Sequence, residues 1–152
     1  MRVRLSRKGD YAVRAMLHLA RHEGRGRCKT RDIAHAMEIP ESYLPQILAE
    51  LVSSGLVTSQ AGRDGGYALH GPAAEIHLLD VIEVMEGPIE LAQCVITGGP
   101  CHWDNECAVH RFWSAAQEAF RGNLRTTSFA EIAAVDAELA DRTSPPLQIK
   151  PR

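Results

Sequence analysis

Residues 30–69, TRDIAHAMEIPESYLPQILAELVSSGLVTSQAGRDGGYAL, decide the fold. Ile33, Ala34 and Met37 recur at helical spacing behind Thr30, a residue type that caps helix N-termini. Glu38-Ile39-Pro40 reads as a turn, because proline lacks an amide donor and pushes the residue before it out of helical geometry. From Glu41 the apolar positions Leu44, Ile47, Leu48 and Leu51 predict a further helix, stopped by Ser53-Ser54-Gly55. Pro45 is tolerated only in a first turn, which puts the expected helix start at Glu41 or Ser42. Two short helices joined by a tight turn form a helix-turn-helix. Beyond Gly55 the period changes. Leu56-Val57-Thr58-Ser59 reads as a strand, Ala61 to Gly66 as a glycine-rich turn and Tyr67-Ala68-Leu69 as the returning strand. A hairpin directly behind a helix-turn-helix is a wing.

Upstream, Val13, Met16, Leu17 and Ala20 predict a helix from Ser6, its N-cap, to about His22, ended by Gly24 and Gly26. Downstream, Leu78, Leu79, Val81, Ile82 and Met85 predict another, stopped by Gly87-Pro88, and residues 89–106 read as a loop. From Cys107 to Arg125, Val109, Phe112, Trp113, Ala116, Ala119, Phe120 and Leu124 form a long apolar stripe. The N-terminal helices are expected to close their own core, so the stripe is expected to pair with a second copy in a homodimer. Ser128 and Glu131 make a capping box for a short last helix, and the chain from Thr143 reads as a disordered tail. The expected fold is mainly α with a small β-hairpin: a winged helix-turn-helix plus a long C-terminal dimerisation helix. Its expected divisions are a DNA-binding region at 1–75, a dimerisation region at 76–134 with a cysteine loop at 89–107, and a flexible tail at 135–152.

At 152 residues, 45% of them apolar, the chain suits one core. It has no run of about 18 apolar residues, and MRVRLSRKGD lacks a signal-peptide core, so a cytoplasmic protein without membrane association is expected. The net charge of -2 hides an asymmetry, because residues 1–31 hold ten Lys or Arg against Asp10 and Glu23 alone, a local +8. A basic end joined to an acidic remainder suits a domain that faces phosphate, although a solvated helix alone explains such a run equally well.

The second helix of a helix-turn-helix enters the major groove of double-stranded DNA with its N-terminal side chains at the base edges. Here those are Ser42, Tyr43 and Gln46, and a glutamine can bond an adenine edge through two hydrogen bonds. Arg63 at the wing tip is placed to enter the minor groove or grip a phosphate.

Cys28 stands alone and reads as a small buried hydrophobe. Cys94-x6-Cys101-x5-Cys107-x2-His110 instead offers three thiols and an imidazole around a Gly98-Gly99-Pro100 loop, a donor set that suits zinc or an iron-sulfur cluster. Spacing does not choose between them: Cys3His is a common zinc set, and this is not a ferredoxin run. A Cys-His nucleophile and base would also be chemically possible, but nothing else resembles a substrate site, so no enzyme is expected.

In order along the chain, LSRKGDYAVRAMLHLA (5–20), SYLPQIL (42–48), GRDGGYAL (62–69), LLDVIEVMEGP (78–88) and the three loop cysteines resemble the IscR/NsrR family of winged helix-turn-helix iron-sulfur transcriptional regulators. The resemblance spans roughly residues 1–134. It implies a homodimer in which Cys94, Cys101 and Cys107 ligate a 2Fe-2S or 4Fe-4S cluster that tunes promoter binding to iron-sulfur supply, nitric oxide or redox stress. For the fourth ligand, His110 matches the histidine of the cluster-assembly branch, whereas Asp10 matches the N-terminal carboxylate of some nitric-oxide sensors. Three departures stand out: the first cysteine gap is six residues where the family usually has five, Pro45 replaces an acidic DNA-reading residue, and Ala61 replaces a wing arginine. One rival is a zinc-stabilised or metal-free thiol redox repressor of the same fold. Another is a protein-interaction module without a DNA role.

Overall fold

The computed structural model describes residues 3–92 and 107–143. Helix α1 (Arg7–Arg21) begins at the expected cap, the Ser6 hydroxyl accepting the Gly9 amide at 3.1 Å. Ser6 also donates its amide and hydroxyl to the Glu86 carboxylate at the end of α4 (Leu78–Glu86). Gly9 is what permits this approach, since a Cβ there would run into that carboxylate.

Helix α2 (Thr30–Met37) starts one residue earlier than Thr30 capping requires. Lys29 is the N-cap residue, and its carbonyl takes the amides of Asp32 and Ile33 at 3.0 and 3.1 Å, so Thr30 lies inside the helix without capping it. Glu38 ends α2 in the left-handed conformation, φ 52° and ψ 46°, which turns the chain sharply into Ile39 and Pro40. Helix α3 (Leu44–Ser53) starts later than Glu41 or Ser42. Residues 41–43 form a turn in which the Pro40 carbonyl takes the amides of Tyr43 and Leu44. Pro45 becomes the second helical residue, where its missing donor leaves no partner unsatisfied.

Strands β1 (Val57–Gln60) and β2 (Gly66–Leu69) pair antiparallel with Val57 opposite Leu69 and Gln60 opposite Gly66. A 3-10 turn at Ala73–Glu75 leads into α4, whose Leu79, Val81, Ile82 and Met85 are buried and whose Gly87 cap has φ 82°.

The core lies around α1. Ala12, Ala15, Met16, Ile33, Leu44, Ile47, Leu48 and Leu51 are all 0% exposed. The N-terminal helices do not close this core by themselves, contrary to expectation: Val81 of α4 and Phe129 of α6 (Phe129–Thr143) belong to it, and both are fully buried. Backbone bonds from Leu78 to the Thr127 carbonyl and from Phe129 to the Ile76 carbonyl, 2.9 Å each, seat the returning chain. The capping box forms as read, with Ser128 donating to Glu131 and the Glu131 amide returning to the Ser128 hydroxyl. The helix it caps is long rather than short. It carries residues 135–143, expected in the tail, as regular helix and meets α1 through Arg21–Asp136 at 3.3 Å.

Helix α5 (His110–Thr126) begins three residues beyond Cys107 and buries none of its side chains. Its base is fastened to α4 by Arg121–Glu83 at 3.1 Å, while Phe112 is 60% and Phe120 41% exposed. Among the described residues no helix is long and apolar enough to cross a membrane.

Phe129→Ala should cost about 3–5 kcal/mol in urea unfolding, the range for truncating a buried aromatic. A loss below about 1 kcal/mol would show that α6 is not part of the core.

Candidate DNA interface and cysteine site

Helix α3 is amphipathic in a way that aims its start outward. Leu44, Ile47, Leu48 and Leu51 are fully buried, so Ser42, Tyr43 and Gln46, offset from them around the first turn, are exposed. Tyr43 is the least free of the three: its ring meets Tyr11 edge to face at 5.8 Å, and the Arg14 guanidinium lies 5.7 Å from the Tyr11 ring. The basic N-terminal run divides by role. Lys8 holds Glu50 of α3 at 2.8 Å and Arg14 holds Asp10 at 2.7 Å, while Arg4, Arg7 and Arg31 are exposed.

The wing is held by the segment that joins α1 to α2. Cys28 and Tyr67 exchange two backbone hydrogen bonds of 2.8 Å, an isolated β-bridge that fastens this segment to the two-stranded hairpin. Arg27 donates to the carbonyl and hydroxyl of Thr58 at 3.1 Å, and Lys29 donates to the carbonyls of Gly62 at 3.2 Å and Arg63 at 2.8 Å. Lys29 therefore grips the wing tip and leaves the Arg63 side chain exposed. Sequence reading missed Arg27 and Lys29, which look like any surface cations. Gly66 carried a faint signal as the second of a glycine pair: its φ is +135°, and a Cβ would stand 2.5 Å from the Cys28 carbonyl oxygen.

Of the predicted thiols, Cys94 and Cys101 lie outside the described residues. Cys107 is a half-buried free thiol one turn ahead of α5, with its carbonyl accepting the His110 amide at 3.2 Å. His110 opens α5. Its Nε2 pairs with the Ser114 hydroxyl at 3.3 Å, and its Nδ1 is buried with no hydrogen-bond partner among the described residues. When Nε2 carries the proton, Nδ1 presents a bare lone pair, the form in which imidazole binds a metal. A cluster or zinc ligand is chemically compatible with that orphaned nitrogen beside a free thiol. Asp10, the other candidate ligand, is bonded to Arg14 on α1.

A buried helix-turn-helix scaffold with an exposed second helix and a tethered hairpin defines a winged-helix DNA-binding protein. The chain belongs to the Rrf2 family, described as an iron-dependent transcriptional regulator and matched over residues 5–135. A putative HTH-type transcriptional regulator of Mycobacterium tuberculosis, Rv1287, is 36% identical over 131 residues, covering 86% of this chain and 81% of the relative. The solved structure of CymR, the global cysteine regulator of B. subtilis, aligns with TM-score 0.75 at 30% identity over 88% of this chain and 98% of that one. T. potens IscR aligns with TM-score 0.72 at 30% identity over 93% of both chains. The earlier resemblance and the fold class therefore both stand, and the protein is a transcriptional regulator rather than an enzyme.

Gly66→Ala should unseat the wing, because it combines a disfavoured φ with a clash against backbone. The Tyr67 amide should then lose at least about tenfold of its hydrogen-exchange protection while the helical core amides keep theirs. Unchanged protection at Tyr67 would show that the hairpin tolerates the side chain and that the wing tether is weaker than its geometry.

Proposed function

We propose that this chain is a cytoplasmic, dimeric, DNA-binding transcriptional regulator that senses iron-sulfur status, nitric oxide or redox stress through a cluster held by Cys94, Cys101, Cys107 and His110. The observation that carries the sensing half is the buried, unpartnered Nδ1 of His110 at the head of α5, one turn from the free Cys107 thiol. Residues 1–75 supply DNA contacts and 76–134 the dimer and the cysteine loop. Gln46 reads base edges, Ser42 and Tyr43 flank it on phosphate or base, and Arg63 reaches the minor groove or backbone.

The exposed stripe of α5 supports the dimer. Val109, Phe112, Trp113 and Phe120 are 36–60% exposed, an apolar helix face that a second copy would cover. Because α5 leads from the cysteine site into that face and is bolted to α4 through Arg121 and Glu83, a change at Cys107 and His110 is mechanically linked to the dimer. When bound, the cluster supplies a redox- and nitric-oxide-sensitive centre that binds the thiolates together. Ser114 holds the His110 ring in place, and Asp10, engaged by Arg14, is the reserve fourth ligand.

A second reading is a zinc-stabilised or metal-free thiol repressor. It is favoured by the half-buried free thiol of Cys107 and by the similarity to a protein described as a cysteine regulator. Anaerobic purification separates the readings: a brown protein with thiolate-to-iron absorption supports the first, and a colourless one with stoichiometric zinc or reversible thiol oxidation supports the second.

In binding assays across operator variants, Gln46→Ala should relax base preference at a cost of about 1–3 kcal/mol, while Arg63→Ala should weaken all sequences about equally. A uniform loss for Gln46→Ala would remove it from base reading. For the cluster, alanine at Cys94, Cys101 or Cys107 should each abolish the colour. His110→Ala should keep a more labile cluster of shifted potential, and Asp10→Ala should leave the spectrum nearly unchanged. An intact spectrum in His110→Ala with a disturbed one in Asp10→Ala would transfer the fourth ligand to Asp10.

A further inference from the structure

Three side chains of types that can ligate a metal, His18, His22 and Cys28, come together far in sequence from the cysteine loop. His18 lies in the last turn of α1 and His22 is the residue that caps its C-terminus, their rings stacked with centroids 4.3 Å apart and planes at 26°. Cys28 comes back to them from the segment that tethers the wing. One donor atom from each of the three residues lies within 4.8 Å of the others. His18 is 5% and Cys28 7% exposed, and His22 is half-buried.

The hydrogen bonds prepare these groups as ligands. His18 Nδ1 is buried without a hydrogen-bond partner among the described residues, an unusual state for a polar atom inside a protein. His22 Nδ1 lies 2.8 Å from the His18 carbonyl oxygen. A proton on Nδ1 donated to that carbonyl leaves Nε2 as a lone pair, the arrangement common among metal-bound histidines. Burial, with the neighbouring His22 and Arg21 charges, lowers the His18 pKa to about 4, so its ring is neutral near pH 7. Burial first, and then the Asp32 carboxylate, push the Cys28 thiol's pKa up, so a cation must displace its proton, while the same carboxylate adds negative potential at His18 and Cys28 that favours a cation. A small cavity of about 70 Å³, lined by His22, Gly24, Gly26, Cys28 and Tyr67, adjoins the group and has room for a water ligand.

We propose that His18, His22 and Cys28 form a binding site for a zinc-class divalent cation, with water as the fourth ligand, separate from the cysteine-loop centre. Zinc takes Cys sulfur and His nitrogen ligands in tetrahedral sites, and three protein ligands with water in the fourth position is the pattern of its open sites. Binding exchanges the Cys28 S–H proton for the metal, and the proton leaves to solvent. The ion would join the end of α1 to the Cys28 segment, which is already paired to Tyr67 of β2. Metal occupancy would thereby set how firmly the wing is held against the helix-turn-helix.

The test uses Co²⁺ as probe on the full chain carrying Cys94→Ser, Cys101→Ser and Cys107→Ser, so that the loop thiols contribute nothing. One equivalent should give tetrahedral visible bands and a thiolate-to-cobalt band in the near ultraviolet, bleached by one equivalent of Zn²⁺. Cys28→Ala, a small apolar replacement for a buried thiol, should abolish the thiolate band. His22→Ala, at a half-exposed position, should weaken binding at least about tenfold, since loss even of a metal site's outer-shell support costs 10–100-fold. No thiolate band, its survival in Cys28→Ala, or unchanged affinity in His22→Ala would overturn the site. Should the triple variant not melt cooperatively, imidazole NMR of the unsubstituted chain decides. Two equivalents of Zn²⁺, enough to fill the cysteine loop as well, must shift the His18 and His22 ring nitrogens, and unmoved resonances would refute the proposal.

Discussion

Everything on the DNA-facing side depends on the complete burial of one side of α3. Leu44, Ile47, Leu48 and Leu51 have no accessible surface, and each contributes about 1.5–3 kcal/mol when removed from water. Rotating α3 by even a quarter turn would expose part of this set, so the outward direction of Ser42 and Gln46 is enforced by the core. Pro45 sharpens the arrangement. As second helical residue it leaves Glu41 to Tyr43 in a separate turn stacked on Pro40, which fixes where the recognition helix starts.

The wing is held in two ways. Its base joins the core through Val57, with Tyr67 and Leu69 packed against it, and towards the tip its position rests on polar contacts from residues 27–29: two backbone bonds at Cys28 and donors from Arg27 and Lys29. Such bonds contribute about 0.5–1.5 kcal/mol each, so the wing is anchored in sum but no single contact dominates. Polar tethers of this strength suit an element that must adjust to a nucleic-acid groove. The same segment also brings Cys28 to His18 and His22, which makes the wing base the place where a bound ion would have the largest mechanical effect.

The C-terminal half shares its core with the DNA-binding half. Phe129 fills the centre beneath α1, α4 buries its apolar face against α1, and Glu86 closes on the first turn of α1 through Ser6. A displacement of α4 or α6 therefore has a packed route to the helix-turn-helix. By contrast α5, attached chiefly at its base, presents an apolar face with Phe112 and Phe120 exposed among the described residues.

Sequence alone determined the element order, the helix-turn-helix, the hairpin and its turn, and the buried face of α3, because periodicity of 3.6 or 2 and the capping and turn residues are local signals. It also singled out Cys107 and His110 as chemistry from their spacing. Helix starts at Thr30 and Leu44 shifted by one to three residues, since competing caps differ by amounts that neighbouring backbone bonds override. Only the tertiary structure decided that Phe129 completes the N-terminal core, that Gly9 is required by Glu86, and that Arg27 and Lys29 hold the wing, because each is a contact between residues 31 to 80 positions apart or a burial no local pattern encodes. Cys28 is the clearest case. As a lone thiol it reads as a small hydrophobe, and it is indeed buried; chain folding alone places it against two histidines at the C-terminal end of α1.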